Sequence, residues 1–217
     1  MNFTDLNIIQ PILKAIDEAG YTSPTEIQSQ SIPLVLEGND LIGCAQTGTG
    51  KTAAFGLPIL NNMKGNSGVE AVVIVPTREL AMQVSDELYR FGKFLGINTA
   101  TVYGGQAYAR QIKLIENAGI IVATPGRFLD LLRGGKIDIK PNYVILDEAD
   151  EMLDMGFLDD IKEIFTFLPA ERQTLLFSAT MPVAIKNLAK TILNNPEFIK
   201  LTKKDVTNSK ITQTFYV

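Results

Sequence analysis

Eight consecutive residues, Ala45-Gln46-Thr47-Gly48-Thr49-Gly50-Lys51-Thr52, limit what this chain can fold into more than any other stretch. The short apolar run Leu41-Ile42-Gly43-Cys44 precedes them and Ala53-Ala54-Phe55-Gly56-Leu57 follows, an order that reads strand, glycine-rich turn, helix. In such a turn the backbone N–H groups converge on one point, and the new helix adds the positive end of its dipole. A triphosphate fits there, with Lys51 reaching the β- and γ-phosphates and the Thr52 hydroxyl facing a Mg2+. The general pattern opens with glycine where this chain has Ala45. Read alone, the stretch also allows an ordinary glycine-rich loop before a helix.

The rest of the chain repeats the same alternation. Apolar runs occur at 41–44, 71–75, 99–103, 120–123, 143–146 and 174–177, short, unbroken and mostly rich in β-branched residues. Such runs suit strands covered on both faces. Helical patterns lie between them at 52–63, 78–95, 106–116, 126–133, 157–168 and 182–194. Upstream, Leu6, Ile9, Leu13 and Ile16 keep helical spacing over 3–19 up to Gly20, and Pro24 and Pro33 bracket a second helical stretch from Thr25 to Leu36. The expected fold is α/β: a mostly parallel sheet with helices on both faces, and ligands at the edge where the strands end.

Composition closes off several classes. A single cysteine, Cys44, excludes an intrachain disulfide, and its place in a strand reads as a small buried apolar residue rather than a reactive thiol. No apolar run is long enough to cross a membrane and the N-terminus lacks a basic-then-apolar signal, so a cytoplasmic, membrane-free protein is expected. A net charge of −4 argues against a broadly basic nucleic-acid binder but leaves room for a local basic groove.

At the end of the run Tyr143-Val144-Ile145-Leu146 stand Asp147-Glu148-Ala149-Asp150. A carboxylate closing a buried strand is costly unless a cation offsets it. Beside a phosphate loop that cation is Mg2+, held by Asp147, with Glu148 placed to orient or deprotonate the water that attacks the γ-phosphate. A solvated strand-end turn is the alternative for these acids taken alone.

With that tetrapeptide the chain resembles the DEAD-box RNA helicases, specifically their first RecA-like P-loop NTPase domain. Gly20-Tyr21-Thr22-Ser23-Pro24-Thr25-Glu26-Ile27-Gln28 resembles the family's adenine-recognising Q motif, with Glu26 where proline is common and Phe3 where the family has an isolated upstream aromatic. Pro76-Thr77-Arg78-Glu79-Leu80, Gly104-Gly105, Thr124-Pro125-Gly126-Arg127 and Ser178-Ala179-Thr180 match further family motifs in order. The resemblance implies ATP and Mg2+ as ligands. It gives catalytic roles to Lys51, Asp147 and Glu148, and nucleotide contacts to Phe3, Tyr21, Gln28 and residues 45–52. Metal contacts fall to Thr52 and Asp147. RNA contacts fall to Pro76, Thr77, Arg78, Gly104, Gly105, Thr124, Pro125, Gly126 and Arg127, and coupling between the two ligands to Asp150, Ser178 and Thr180.

The chemistry of these side chains is compatible with those roles. The Gln28 amide matches the N6 and N7 edge of adenine, and Tyr21 can lie against the base, although from the residues alone Gln28 also reads as a surface helix residue. Hydroxyls, arginines and a free glycine backbone suit phosphates and sugars and read no base edges, so RNA, single-stranded or duplex, would be bound without sequence preference. Arg78 and Arg127 read equally as helix-start residues with local salt bridges, and Ser178 and Thr180 as a hydroxyl-capped turn, linked to Asp150 or Asp147 if they act in coupling. Asp154 and Glu163 read as solvated helix faces.

By the same resemblance, residues 1–202 form the first RecA-like domain with the Q motif at 3–28, 203–210 an interdomain linker, and 211–217 the opening of a second RecA-like domain. The second-domain motifs, which usually include a histidine-arginine pair, have no counterpart after Thr180, and the chain has no histidine. A monomer that binds adenine nucleotide but hydrolyses it weakly is expected. The competing classes are a nucleotide-switched RNA or protein platform without turnover, and a different phosphate-loop enzyme such as a DNA helicase or small-molecule kinase.

Overall fold

The computed structural model describes residues 1–65 and 68–201. Seven strands form one sheet: β1 (Leu41–Cys44), β2 (Ala71–Ile74), β3 (Thr99–Val102), β4 (Ile120–Ala123), β5 (Tyr143–Leu146), β6 (Gln173–Ser178) and β7 (Glu197–Lys200). Their order is β3-β4-β2-β5-β6-β1-β7, and every pairing is parallel. All strand C-termini therefore lie on one edge.

Alternation along the strands divides the apolar residues between two cores. Val73, Ile145, Leu175 and Phe177 face α1 (Gln10–Glu18), α2 (Glu26–Leu36), α3 (Lys51–Asn62) and α4 (Arg78–Gly92), among Ile12, Ile27, Phe55 and Phe91. Val72, Ile74, Val144 and Leu146 face the opposite core, with Phe128, Met152, Ile164 and Leu188. Its helices are α5 (Tyr108–Ile115), α6 (Pro125–Arg133), α7 (Ala149–Asp154), α8 (Leu158–Phe167) and α9 (Val183–Ile192). Strands sandwiched between two helical layers lose their polar alternation, which is why these runs read as unbroken apolar stretches. At Gly43, paired in register with Phe177, the absence of a side chain makes room: a Cβ there would lie 2.6 Å from the Phe177 ring.

The structure corrects the expected elements in three places. The helix expected over 3–19 is a 3-10 turn, Phe3–Leu6, and then α1, because Asn7 takes left-handed backbone (φ 58°) between them. That break resets the helical phase, so Ile8, Ile12 and Ile16 are buried while Ile9 is exposed. The stretch expected from Thr25 to Leu36 is α2, which carries Pro33 inside it and is held by its packing along α3. Nothing in the apolar pattern announces α7, a short helix set by Ala149 and Met152 three residues apart. Nor does it announce β7, an edge strand in which Ile199 alone is buried. The expected linker at 203–210 and second-domain segment at 211–217 lie outside the described residues. No helix among the described residues is long and apolar enough to cross a membrane.

Candidate functional site

Strand β1 ends at Cys44, and the Ala45 N–H continues its ladder to the Ser178 carbonyl of β6. The chain then turns on Gly48 (φ 81°) and Gly50 (φ 90°), backbone that side chains resist, while the Thr49 hydroxyl donates to the Gln46 carbonyl at 2.7 Å. Helix α3 opens on Lys51 directly after Gly50. The Gly50 carbonyl accepts from Gln28 Nε2 at 3.0 Å, and Gln28 Oε1 accepts the Thr25 N–H at 2.9 Å, so one amide closes the N-terminus of α2 and clasps the loop. Gln28 is buried, which removes the surface-residue reading. Its second N–H and second lone pair have no protein partner among the described residues.

The Lys51 ammonium is buried, 2.8 Å from Glu148 Oε2 and 3.7 Å from Asp147 Oδ1. It makes no hydrogen bond of good angular geometry there, so a buried three-donor group sits close to carboxylates without saturating itself. Glu148 is fixed from the other side by the Thr47 hydroxyl, which donates to Oε1 at 2.8 Å. Its own backbone is left-handed (φ 54°, ψ 51°), rare for a residue with a side chain. That kink turns the chain from β5 into α7 and lets the Glu148 N–H donate to Asp147 Oδ1 at 3.0 Å. Burial, and secondarily the Glu148 charge, raise the Asp147 carboxyl to about 7 against the opposing pull of Lys51. No cluster of three acidic, histidine or cysteine metal ligands exists among the described residues. Thr52 and Asp147 can supply two oxygens, a set that suits a cation completed by water and phosphate oxygens.

Tyr21 is half-buried and packs edge-on against Phe91 at 5.6 Å and Phe3 at 6.3 Å between ring centroids. Its hydroxyl lies 3.4 Å from Glu87 Oε1, and burial and that carboxylate raise its pKa. Phe3 is therefore a core residue that fixes Tyr21 in place.

The remaining motifs leave the same edge from neighbouring strands. Pro76 and Thr77 follow β2, and the Thr77 hydroxyl accepts the Leu80 N–H to cap α4. Exposed Arg78 pairs with its neighbour Glu79 at 2.8 Å, the local salt bridge anticipated from the sequence. After β3, Gly105 is left-handed (φ 88°), and a Cβ at either Gly104 or Gly105 would meet nothing within 4 Å. Thr124 follows β4 and Pro125 opens α6, with Gly126 equally open. Arg127 forms no carboxylate pair among the described residues. Its Nη1 donates to the Gln106 carbonyl at 2.6 Å and to Gln111 Oε1 at 2.9 Å, and its guanidinium lies 4.3 Å from the Tyr108 ring centroid.

The sequence model of the DEAD/DEAH box helicase family matches residues 25–188. The chain belongs to the DEAD/DEAH box helicase family. It is 56% identical, over all of its length and 44% of the relative's, to the DEAD-box ATP-dependent RNA helicase RhpA of Helicobacter pylori. To the DEAD-box ATP-dependent RNA helicase CshA of Bacillus subtilis it is 49% identical, again over its whole length and 44% of the relative's. The crystal structure of a DEAD box protein from the hyperthermophile Methanococcus jannaschii superposes with a TM-score of 0.89 at 45% identity, covering 92% of this chain and 56% of that one. The chain thus spans less than half the length of these curated relatives.

Within this DEAD/DEAH box domain the strand order sorts the motifs. The loop, the acidic tetrapeptide and Ser178-Ala179-Thr180 come from β1, β5 and β6, on one side of the sheet. Those carrying Thr77, Gly104-Gly105 and Thr124–Arg127 come from β2, β3 and β4, on the other. Asp150 is bound to the β6 end: it accepts from Thr180 Oγ1 and N, both at 2.8 Å, and its own N–H donates to Ser178 Oγ at 3.1 Å. Burial works to raise the Asp150 pKa, but the bonds from Thr180, Ser178 and Ala179 outweigh it and lower the value. Of the two acids considered as partners for Ser178 and Thr180, the hydroxyls engage Asp150. Glu163 forms a two-pronged ion pair with Arg133 of α6 and is not a purely solvated acid. The DEAD/DEAH motifs gave no sign of Gln106, Tyr108 or Gln111 around Arg127, since each side chain reads on its own as an ordinary helix or loop residue.

Proposed function

We propose that this chain is the ATP-binding and RNA-binding first domain of an RNA helicase whose full-length form couples ATP hydrolysis to local opening of RNA duplexes. The observation that carries this reading is the buried Lys51 ammonium with unspent donors, set between a glycine-built loop and two buried carboxylates. Nothing in a structural core calls for such a group, whereas a triphosphate does.

Gln28 and Tyr21 select adenine, residues 45–50 cradle the phosphates through backbone N–H groups, and Lys51 exchanges its carboxylate neighbours for phosphate oxygens. A bound Mg2+, held by Thr52 and Asp147, would supply neutralisation of the developing phosphate charge. Glu148, steadied by Thr47, orients a water and takes its proton as the water oxygen bonds to the γ-phosphorus and the bond to the ADP oxygen breaks. The chain's half-length match to its relatives supports a second RecA-like domain that completes the site. An arginine finger from it would be worth about 10³–10⁵ in rate, so the chain alone turns over slowly. Thr77, Arg78, Gly104, Gly105, Thr124 and Arg127 hold the RNA backbone without reading bases.

Titration calorimetry with ADP, ATP, GDP and GTP in Mg2+, on the wild type and Gln28→Ala, tests this. Adenine-selective binding weakened by Gln28→Ala is expected. Equal binding of adenine and guanine nucleotides would return the chain to the wider phosphate-loop class.

A further inference from the structure

Gln111 of α5 is fully buried, and neither of its side-chain hydrogen bonds serves its own helix. Nε2 donates to the Tyr103 carbonyl at 2.8 Å, immediately before the Gly104-Gly105 turn, and Oε1 accepts from Arg127 Nη1 at 2.9 Å. A buried amide is costly unless both ends are bonded, and an apolar residue would fill this helix position without that demand. The same Nη1 donates to the Gln106 carbonyl, and the Tyr108 ring lies against the guanidinium. Nη1 is thus committed to the protein, while Nε and Nη2 have no protein partner among the described residues. An arginine spent on one nitrogen and open at the rest of its fork is suited to a phosphate. Arg78, by contrast, is exposed and held only by its neighbour Glu79.

We propose that Gln111 is a positioning residue for RNA phosphate recognition: it sets the pose of Arg127 and ties it to the Gly104-Gly105 turn, so that two backbone contacts act as one unit. The inference rests on the RNA-binding reading above. Gln111 does not touch RNA; it acts through Arg127.

The test is fluorescence anisotropy of a short labelled oligouridine across a salt series, with wild type, Gln111→Met, Arg127→Ala and the double variant. Arg127→Ala should weaken binding and reduce the salt slope by about one. Gln111→Met should weaken it about fivefold, the scale of one ordinary hydrogen bond, and lower the slope toward that of Arg127→Ala. The double variant should bind no more weakly than Arg127→Ala alone. ATP affinity of Gln111→Met should match the wild type, which separates positioning from misfolding. If the Met variant does not fold, Gln111→Asn, polar but too short to reach both partners, should give the same pattern. Additive losses in the double variant would overturn the proposal, as would Gln111 variants that bind like wild type while Arg127→Ala is impaired. If wild type does not bind, or Arg127→Ala is neutral, the RNA reading fails and the proposal falls with it.

Discussion

Lys51 Nζ lies 2.8 Å from Glu148 Oε2, with both side chains buried. One residue starts the helix after the glycine-rich loop, and the other sits in left-handed backbone at the end of a strand two places away in the sheet. A charge pair so placed joins the two halves of the site before any ligand contact is considered.

Glu148→Gln keeps the shape of that pair and removes its basicity. Single-turnover phosphate release by the full-length protein should fall by about 10²–10⁴, the range for loss of a general base, while calorimetric ATP affinity stays near wild type. An unchanged rate would remove Glu148 from the proton-transfer role.

Gly50→Ala places a Cβ 2.4 Å from Gln28 Nε2 at a residue with φ 90°. Backbone strain and displacement of the Gln28 clasp should together cost about 1–3 kcal/mol in urea unfolding and abolish measurable nucleotide binding. Gly48→Ala keeps the strain but meets no atom within 4 Å, so it should be the milder of the two.

Asp150 has a depressed pKa in the folded chain, so its bonds to Thr180 and Ala179 stabilise the fold above the unfolded value of 3.8 and are lost as pH falls through the lower folded value. The difference in urea midpoint between wild type and Asp150→Asn should hold steady above about pH 5 and narrow as pH drops below 4. A difference that widens on acidification would reverse the assigned sign.

Gly43→Ala drives a methyl into the Phe177 ring within a fully buried strand pair. Overpacking of this kind costs about 1–3 kcal/mol, read as a lowered urea midpoint, and Phe177→Leu in the same chain should recover part of it. An Ala variant as stable as wild type would show that the ring moves freely.

The loop and the acidic tetrapeptide of the candidate site were legible in position because each is a local pattern. A glycine-rich turn with Lys51-Thr52 and a strand ending in Asp147-Glu148 each announce a position on an edge, and parallel topology brings them together. What escaped notice depends on tertiary contact. Asn7 breaks the first helix through one backbone angle, and β7 forms on an edge where a single residue needs burial. Gln111 looks like any polar residue on an amphipathic helix until β3 and α6 surround it. Arg78 and Arg127 read alike in sequence, yet one has an exposed carboxylate partner and the other a buried amide and a ring.

Because every strand runs the same way, the loops at the strands' N-terminal edge carry none of the proposed ligand contacts. Asp138, exposed in the connection from α6 to β5, stands there. The sole native thiol, Cys44, is buried at the other end of its strand. Asp138→Cys therefore gives one accessible attachment point for a dye or a surface tether, at which the molecule can be immobilised or observed with its working edge left open.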